Sequence, residues 1–224
     1  MCIRDRFTGS DEISTKKCWN KISSKILMVE NEIPTPVFRV IKANQKLDLK
    51  DEFFVKNDCF FVKPNNNGSS FGVSKVDRTK NLREAIREAR KYSEDVIIEK
   101  AYNVAEYTVG ILKGEALQPL EIIAEDNKGF YDYEAKYLSK ATKKVEVVDK
   151  NIKEELKNIA LKAFYKHGCQ TWGRVDFVYD GKNLGVLEIN TVPGFTEKSL
   201  FPLAAKLSGI NYQELITNII EDSI

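Results

Sequence analysis

The chain of 224 residues carries 35 Lys and Arg against 33 Asp and Glu, a formal net charge of +2, so no overall field favours nucleic acid or a membrane surface and any basic site must be local. A composition of 42% hydrophobic and 30% charged residues is that of an ordinary globular chain, long enough for one large domain or two small ones. Four widely spaced cysteines (Cys2, Cys18, Cys59, Cys169) without a Cys-x-x-Cys pair argue against a zinc site or disulfide framework and for reduced thiols in the cytoplasm, and no apolar run approaches the roughly 18 residues of a membrane helix.

Residues 1–6 are polar and patternless and read as a leader outside the fold. Phe7–Ser10 reads as a loop, and Ser14–Glu30 as one helix with Ile22, Ile26 and Val29 on its apolar side. Lys21 and Lys25 then stack one turn apart, either on a solvated face or where both reach one polyanion. Pro34 and Pro36 end the helix, and Val37–Ile41 follows as a strand. Phe53–Val55 and Cys59–Pro64 read as short buried strands. The second runs into Asn65–Val73, whose two glycines, three amides and two hydroxyls suit either an ordinary turn or a phosphate cradle without Walker spacing. Lys63, ending the strand beside that loop, favours the cradle.

Asn81–Tyr92 is an amphipathic helix with Leu82, Ala85, Ile86, Ala89 and Tyr92 at helical spacing. Val96–Tyr102 begins as a buried strand and stops on Glu99 and Lys100; Glu106–Leu112 starts another, and the junction is a charged loop or an edge able to hold a flat heterocycle. Leu120–Ile123 is a further strand. Gly129–Leu138 mixes four aromatics with three charges, the character of a lid that is dry when closed and wet when open. Thr142–Lys150 reads as a charged connection, and Asn151–Tyr165 as a helix with Ile152, Leu156, Ile159, Ala160, Ala163 and Phe164 inward, closed by Gly168. His167 in its last turn suits the negative end of the helix dipole, a capping role rather than a catalytic one.

Gly173–Gly194 alternates apolar and polar residues about Asp180-Gly181 and reads as a β-hairpin. With the turn centred near Lys182, period two sets Asp176 opposite Glu188 and Arg174 opposite Asn190 on one face. Two facing acids need a compensating cation, from Arg174 or from a metal such as Mg²⁺ held by two carboxylates and an amide oxygen; a solvated polar face is the plain alternative. Pro193–Leu200 leads into a short helix to Ser208, and Asn211 caps a last helix through Leu215, Ile216 and Ile219.

In order and spacing these stretches resemble the ATP-grasp superfamily, and within it the D-alanine:D-alanine ligase family. The resemblance is carried by Phe7-Thr8-Gly9-Ser10, Val62-Lys63-Pro64, Asn67–Gly72, Tyr131–Tyr137, Trp172–Asp176 and Leu187–Thr196. It implies an α+β fold in which two α/β lobes with mostly antiparallel sheets grip ATP, the first lobe at 7–103 and the second, with lid and metal site, at 104–224. It further implies that Lys21 and Lys63 touch the phosphates, that Gly68, Ser69, Ser70 and Lys136 close over them, that the backbone near Lys100 and Tyr102 holds adenine, and that Glu99 is among the cofactor-binding residues. Glu106 would take the ribose, and Asp176, Glu188 and Asn190 two Mg²⁺ ions, with Mn²⁺ as a substitute. Arg174 would stabilise the oxyanion, Ser69, Tyr137 and Lys136 would serve catalysis, and Gly194, Ser199 and Leu200 would meet the second D-alanine. The implied partners are ATP and D-alanine, in a cytoplasmic protein that allows a homodimer and needs neither nucleic acid nor membrane.

The chain departs from the pattern in three places. Only six residues precede Phe7, where relatives carry a further N-terminal domain holding the first D-alanine site, so a chain of this extent is expected to bind ATP better than it ligates. Asn103-Val104-Ala105 replaces a Gly/Arg-containing approach to the ribose acid, and Thr142–Lys150 lacks the proline usual after the lid. An ATP-binding module without catalysis, and a ligase for another carboxylate, amine or hydroxy acid such as D-lactate, are the competing expectations.

Overall fold

The β-branched and aromatic runs fall into two groups along the chain, and each group builds its own antiparallel sheet. The computed structural model describes residues 7–123 and 142–222. The first sheet takes β1 (Phe38–Ile41), β2 (Cys59–Pro64), β3 (Ser74–Asp77) and β4 (Val96–Lys100) in the order β1-β4-β2-β3. Its apolar face is covered by α4 (Leu82–Ala89), whose Leu82, Ala85, Ile86 and Ala89 pack on Phe60, Val62 and Ile98; Tyr92 lies beyond the helix end and is exposed.

Phe53 and Phe54 belong to a helix rather than a strand, α3 (Glu52–Lys56). The Asp51 carboxylate accepts from the Phe53 N–H at 2.8 Å, which starts the turn, and Glu52 pairs with Lys56 one turn on. Consecutive residues of a helix point only about 100° apart. Both rings therefore reach Phe60, at 5.4 and 5.7 Å between centroids, while Val55 points to solvent.

The expected single helix at Ser14–Glu30 is two, α1 (Glu12–Trp19) and α2 (Lys21–Glu30). Asn20, in an extended conformation, breaks the run, and its side chain accepts from the Ser23 N–H at 2.8 Å to cap α2. The break turns α2 so that Ile22, Ser24, Lys25 and Met28 are buried while Ile26 and Val29 are exposed.

The second sheet combines β5 (Ala105–Leu112), β6 (Glu115–Ala116), β7 (Leu120–Ile123), β8 (Lys143–Glu146), β9 (Trp172–Tyr179) and β10 (Leu184–Asn190) in the order β10-β9-β5-β7-β8, with β6 beside β5. β8 lies where a mere connection was expected; Lys144 and Glu146 alternate with Val145 and Val147, the period of a strand. Val109, Ile111, Val175, Phe177, Val186 and Ile189 form one face, covered by Leu156, Ala160, Ala163 and Phe164 of α5 (Lys150–Lys166). A second cluster joins Trp172 and Leu120 to α6 (Leu200–Leu207) and α7 (Tyr212–Glu221), the latter opened by an Asn211/Glu214 capping box.

Gly168, at φ +79°, ends α5 as expected, with the Cys169 N–H reaching the Phe164 carbonyl at 3.1 Å. His167 is fully buried, its Nδ1 donating to the Ala163 carbonyl at 2.8 Å and its Nε2 accepting from the Ser24 hydroxyl at 2.9 Å. Burial lowers its pKa, so it ties α5 to α2 as a neutral ring and not as a cation on the helix dipole.

β10 is edged not by another strand but by the Pro34–Pro36 segment, whose Pro34 carbonyl accepts from Val186 N–H at 2.7 Å. Gly185 permits this approach: a Cβ there would lie 2.7 Å from Pro36 Cδ and 3.0 Å from its backbone nitrogen. Gly185→Ala is therefore expected to cost about 1–3 kcal/mol, seen as a lower urea midpoint at unchanged slope. An unchanged midpoint would refute the contact.

Candidate active site

Two rows of residues cross the second sheet side by side. Thr108, Asp176 and Glu188 form one, and Gly110, Arg174 and Asn190 the other, in the pairing that period two required. The pairing depends on a bulge. Nearest the turn, Leu184 faces Tyr179 and Val186 faces Phe177; Leu187 is then inserted, and Glu188 faces Asp176. Without the extra residue Glu188 would lie on the apolar face against α5, where a carboxylate has no partner. The Asp176 carboxylate accepts two bonds from Arg174 at 2.8 Å, one from Asn190 Nδ2 at 2.8 Å and one from the Thr108 hydroxyl at 2.6 Å.

Lysines lie across from these rows, Lys63 on the first sheet and Lys21 and Lys25 on α2. Lys63 on β2 is buried and donates to Glu99 of β4 at 2.6 Å. On the other carboxylate oxygen lies Lys25, 2% exposed and 3.0 Å away, which also donates to the Thr35 hydroxyl at 2.6 Å and to the Val186 carbonyl at 3.2 Å. Burial would raise the Glu99 carboxyl, but the two ammoniums hold it down at about 2; burial pulls Lys25 down to about 8 against the attraction of Glu99. At neutral pH the group is thus a buried carboxylate between two cations.

Lys21, the first residue of α2, donates from Nζ to the Asn67 carbonyl at 2.5 Å and from its backbone N–H to the Asn65 carbonyl at 3.2 Å. Those bonds pin the Asn65–Val73 loop to the helix. Ser69 and Ser70 both adopt positive φ, +51° and +61°, a conformation costing an L-residue about 1–2 kcal/mol and often kept where backbone N–H groups must face a ligand.

Between the sheets lies a continuous cleft. One part is lined by Lys21, Lys63, Gly68, Ser69, Ser70, Glu99, Glu106 and Glu188. The next, a cavity of about 510 Å³, adds Arg174, Asp176, Asn190, Gly194, Ser199 and Leu200 and shares Ser69, Glu106 and Glu188 with the first. Lys100 and Tyr102 line neither part: Lys100 donates to Asp180 in the hairpin turn at 3.0 Å, with its ammonium over the Tyr102 ring. Backbone N–H groups of Lys100, Ala101 and Val104 are bonded to the Val37, Cys59 and Tyr179 carbonyls. Lys136 and Tyr137, with the lid stretch Gly129–Leu138, lie outside the described residues, as does 1–6.

Local pattern missed four contributors to this cleft. Lys25, expected on a solvated face or beside Lys21 on a polyanion, is instead buried on Glu99; Thr108, a hydroxyl inside an apolar strand, carries Asp176. Lys144 of β8 lines the larger cavity and donates to the Lys198 carbonyl at 2.9 Å, its pKa lowered by burial and then by nearby Arg174. Leu187 reaches the cleft through the bulge.

The donor set fits a hard divalent cation. Glu188 makes no hydrogen bond or ion pair among the described residues, and Asn190, with its nitrogen on Asp176, has its amide oxygen left over. Among the described residues no cluster of three His, Cys, Asp or Glu side chains occurs, so a bound molecule's oxygens would have to complete the coordination.

Antiparallel sheets on both sides of one cleft, with Lys63 on the first, Lys21 and Lys25 on α2 and paired acids on the second, make this an ATP-grasp fold. Residues 27–221 match the family described as the D-ala D-ala ligase C-terminus. The D-alanine–D-alanine ligase of Methylacidiphilum infernorum is 39% identical over 220 residues, covering 97% of this chain and 70% of that protein. D-alanine–D-alanine ligase B of Clostridium perfringens is 35% identical over 221 residues, covering 97% and 72%. Crystal structures of the D-alanine–D-alanine ligase from Bacillus anthracis match at TM-score 0.84 with 30% identity, covering 97% of this chain and 71% of that one. In complex with ATP the match is 0.80 with 26% identity, covering 96% and 68%. The chain belongs to the D-alanine–D-alanine ligase family.

The buried charge group ranks two substitutions. Glu99→Gln leaves Lys25 and Lys63 facing each other in a dry site and is expected to cost about 3–5 kcal/mol, whereas Lys25→Met leaves Glu99 paired with Lys63 and costs less. With a folded pKa of about 2 against an ordinary 4.5, Glu99 contributes stability that is complete above pH 4.5 and lost as pH falls toward 2, so Glu99→Gln should also flatten the acid limb. Urea unfolding between pH 2 and 7 checks both; a larger loss for Lys25→Met would contradict the ranking.

Proposed function

We propose that this chain serves the ATP-dependent joining of two D-alanines into D-alanyl-D-alanine, a building block for peptidoglycan, in the cytoplasm. The observation that carries the reading is the opposition, across one cleft, of Lys21, Lys63 and the Ser69-Ser70 loop to the Asp176/Glu188 and Arg174/Asn190 rows. On this reading the lobes divide at 103/104, close to the gap between β4 and β5.

A carboxylate is a poor electrophile, so a carboxylate oxygen of one D-alanine first attacks the γ-phosphorus of ATP, the bond to the bridging oxygen breaks, ADP leaves and an acyl phosphate results. Lys21 and Lys63 offset the charge on the phosphates, and Gly68, Ser69 and Ser70 offer them backbone N–H groups and hydroxyls. Mg²⁺ bound by Asp176, Glu188 and Asn190 would neutralise phosphate charge during the transfer, two ions in all, with Mn²⁺ able to replace it. Glu106 would accept from the ribose, and the backbone near Lys100 and Tyr102 would hold adenine. The amine of the second D-alanine, held by Gly194, Ser199 and Leu200, attacks the acyl carbon, Arg174 donates to the oxyanion that forms, and collapse expels inorganic phosphate as the nitrogen loses a proton and the dipeptide is left. Arg174 is already oriented for this by its two bonds to Asp176. Lys136 and Tyr137 complete the proposal as lid and catalytic groups that keep water from the acyl phosphate.

The chain spans 70% of the Methylacidiphilum protein, which keeps a second reading in play, ATP binding without ligation. Calorimetry with ATP and Mg²⁺ together with phosphate release in the presence of D-alanine separates the two. Ligation predicts release that depends on D-alanine and falls about 100- to 1,000-fold in Arg174→Met. Binding without release selects the second reading, and equal turnover with D-lactate removes D-alanine as the specific acceptor.

A further inference from the structure

Cys18 and Cys169 lie 151 positions apart in sequence, yet their sulfurs are 3.5 Å apart in the core. Three other bonds hold the elements that carry them at that distance. Ser14 of α1 donates to the Gly168 carbonyl at 2.8 Å, the Gln170 N–H reaches the Ser10 hydroxyl at 3.1 Å, and the Gly9 N–H reaches Thr171 Oγ1 at 2.8 Å. The sulfurs are therefore brought together by the docking of α1 on the turn after α5, whether or not they bond. A disulfide needs about 2.05 Å between sulfurs, so closure asks for a shift of roughly 1.5 Å.

The pair is also reachable from the cleft. Cys18 lines a cavity of about 290 Å³ together with Lys21, Asn67, Glu188 and Asn190. A molecule the size of hydrogen peroxide fits there, whereas bulky thiol reagents meet two buried residues, Cys18 at 8% and Cys169 at 2% exposure. The two thiols share one hydrogen bond that either sulfur can donate, and this sharing lowers the pKa of Cys169 and raises that of Cys18. Cys59 differs: it donates to the Asp77 carboxylate at 3.1 Å, and burial followed by that hydrogen bond pushes its thiol up to about 11.

We propose that Cys18 and Cys169 are a disulfide-forming site, oxidised by a peroxide and restored by a dithiol. A thiolate sulfur of the pair attacks one peroxide oxygen, the O–O bond breaks, and a sulfenic acid and hydroxide result. The hydroxide takes the proton of the second thiol, whose sulfur then attacks the sulfenic sulfur and expels hydroxide. In sum, a thiolate, a thiol and hydrogen peroxide give a disulfide, water and hydroxide. Closure draws the end of α1 toward Cys169. Lys21 starts α2 three residues beyond Cys18 and holds the Asn67 carbonyl, so the same movement disturbs the contact between lysine and loop. This last consequence rests on the nucleotide reading of the cleft; the disulfide does not.

The test uses the chain with Cys2→Ser and Cys59→Ser, so that only the pair can react. Treatment with hydrogen peroxide is expected to remove both thiols in a denatured thiol assay and to yield one cross-linked proteolytic peptide joining Cys18 to Cys169, reversed by dithiothreitol. Thiols that persist, or sulfinic acids without the cross-link, would overturn the proposal. Adding Cys18→Ser must abolish the cross-linked peptide. Calorimetry then compares the reduced and oxidised forms: ATP with Mg²⁺ should bind the oxidised form about tenfold more weakly. Equal binding overturns the link to Lys21, and no binding by the reduced form overturns the nucleotide reading while the peptide still decides the disulfide.

Discussion

Much of the structure depends on one buried ammonium. Lys25 holds Glu99 at 3.0 Å on one side and the Thr35 hydroxyl and Val186 carbonyl on the other. Through Glu99 it fixes Lys63 at the end of β2, and through Val186 it fixes β10 one residue before the bulge. Lys25 is thus one of the points that join the two walls of the cleft, beside the Lys100–Asp180 pair. Desolvating three charges is expensive, and a hydrophobic cluster of the same volume could be more stable. What the charges supply is geometry: the ammonium accepts no other arrangement of partners without leaving a charge unpaired in a dry site.

The bulge turns that attachment into chemistry. A regular hairpin would place Leu187 opposite Asp176 and bury Glu188 against α5. One inserted residue moves Glu188 to the side of Asp176, and the bond from Pro34 and the close approach at Gly185 hold the insertion in place. Arg174 offsets the charge of Asp176 and Thr108 donates to it, so the row is stable without a bound cation. The cleft presents anions on one wall and cations on the other, an arrangement suited to a metal-bound polyphosphate and consistent with the family to which the chain belongs.

Some of this was legible in the residues. The Gly173–Gly194 pattern shows the turn and the two strands, and centring the turn near Lys182 gives the pairing of Asp176 with Glu188, but the bulge at Leu187 that produces this pairing is not visible in the alternation. Leu82, Ala85, Ile86 and Ala89 likewise define the buried side of α4, since a helix has a single period. Patterns failed where a neighbour decided the outcome. Phe53 and Phe54 form part of a helix because Asp51 caps it and Phe60 receives both rings. Ile26 and Val29 are exposed because Asn20 breaks the helix and turns α2. His167 is in the capping position its sequence suggested, but the burial that keeps it neutral comes from packing against α2.

By itself the sequence determined the two sheets, most of the helices, the residue types that face each other in the hairpin and the resemblance to a ligase family. These follow from local period, turn chemistry and motif spacing, all of which act between near neighbours in the chain. Only the tertiary structure decided that Lys25 is buried, that Lys144 reaches the cleft, that Lys100 pairs with the hairpin turn and that Cys18 meets Cys169. Each of those depends on contacts between residues far apart in sequence, and burial, which sets the cost of a charge and the reactivity of a thiol, belongs to the packed assembly and not to any stretch of the chain.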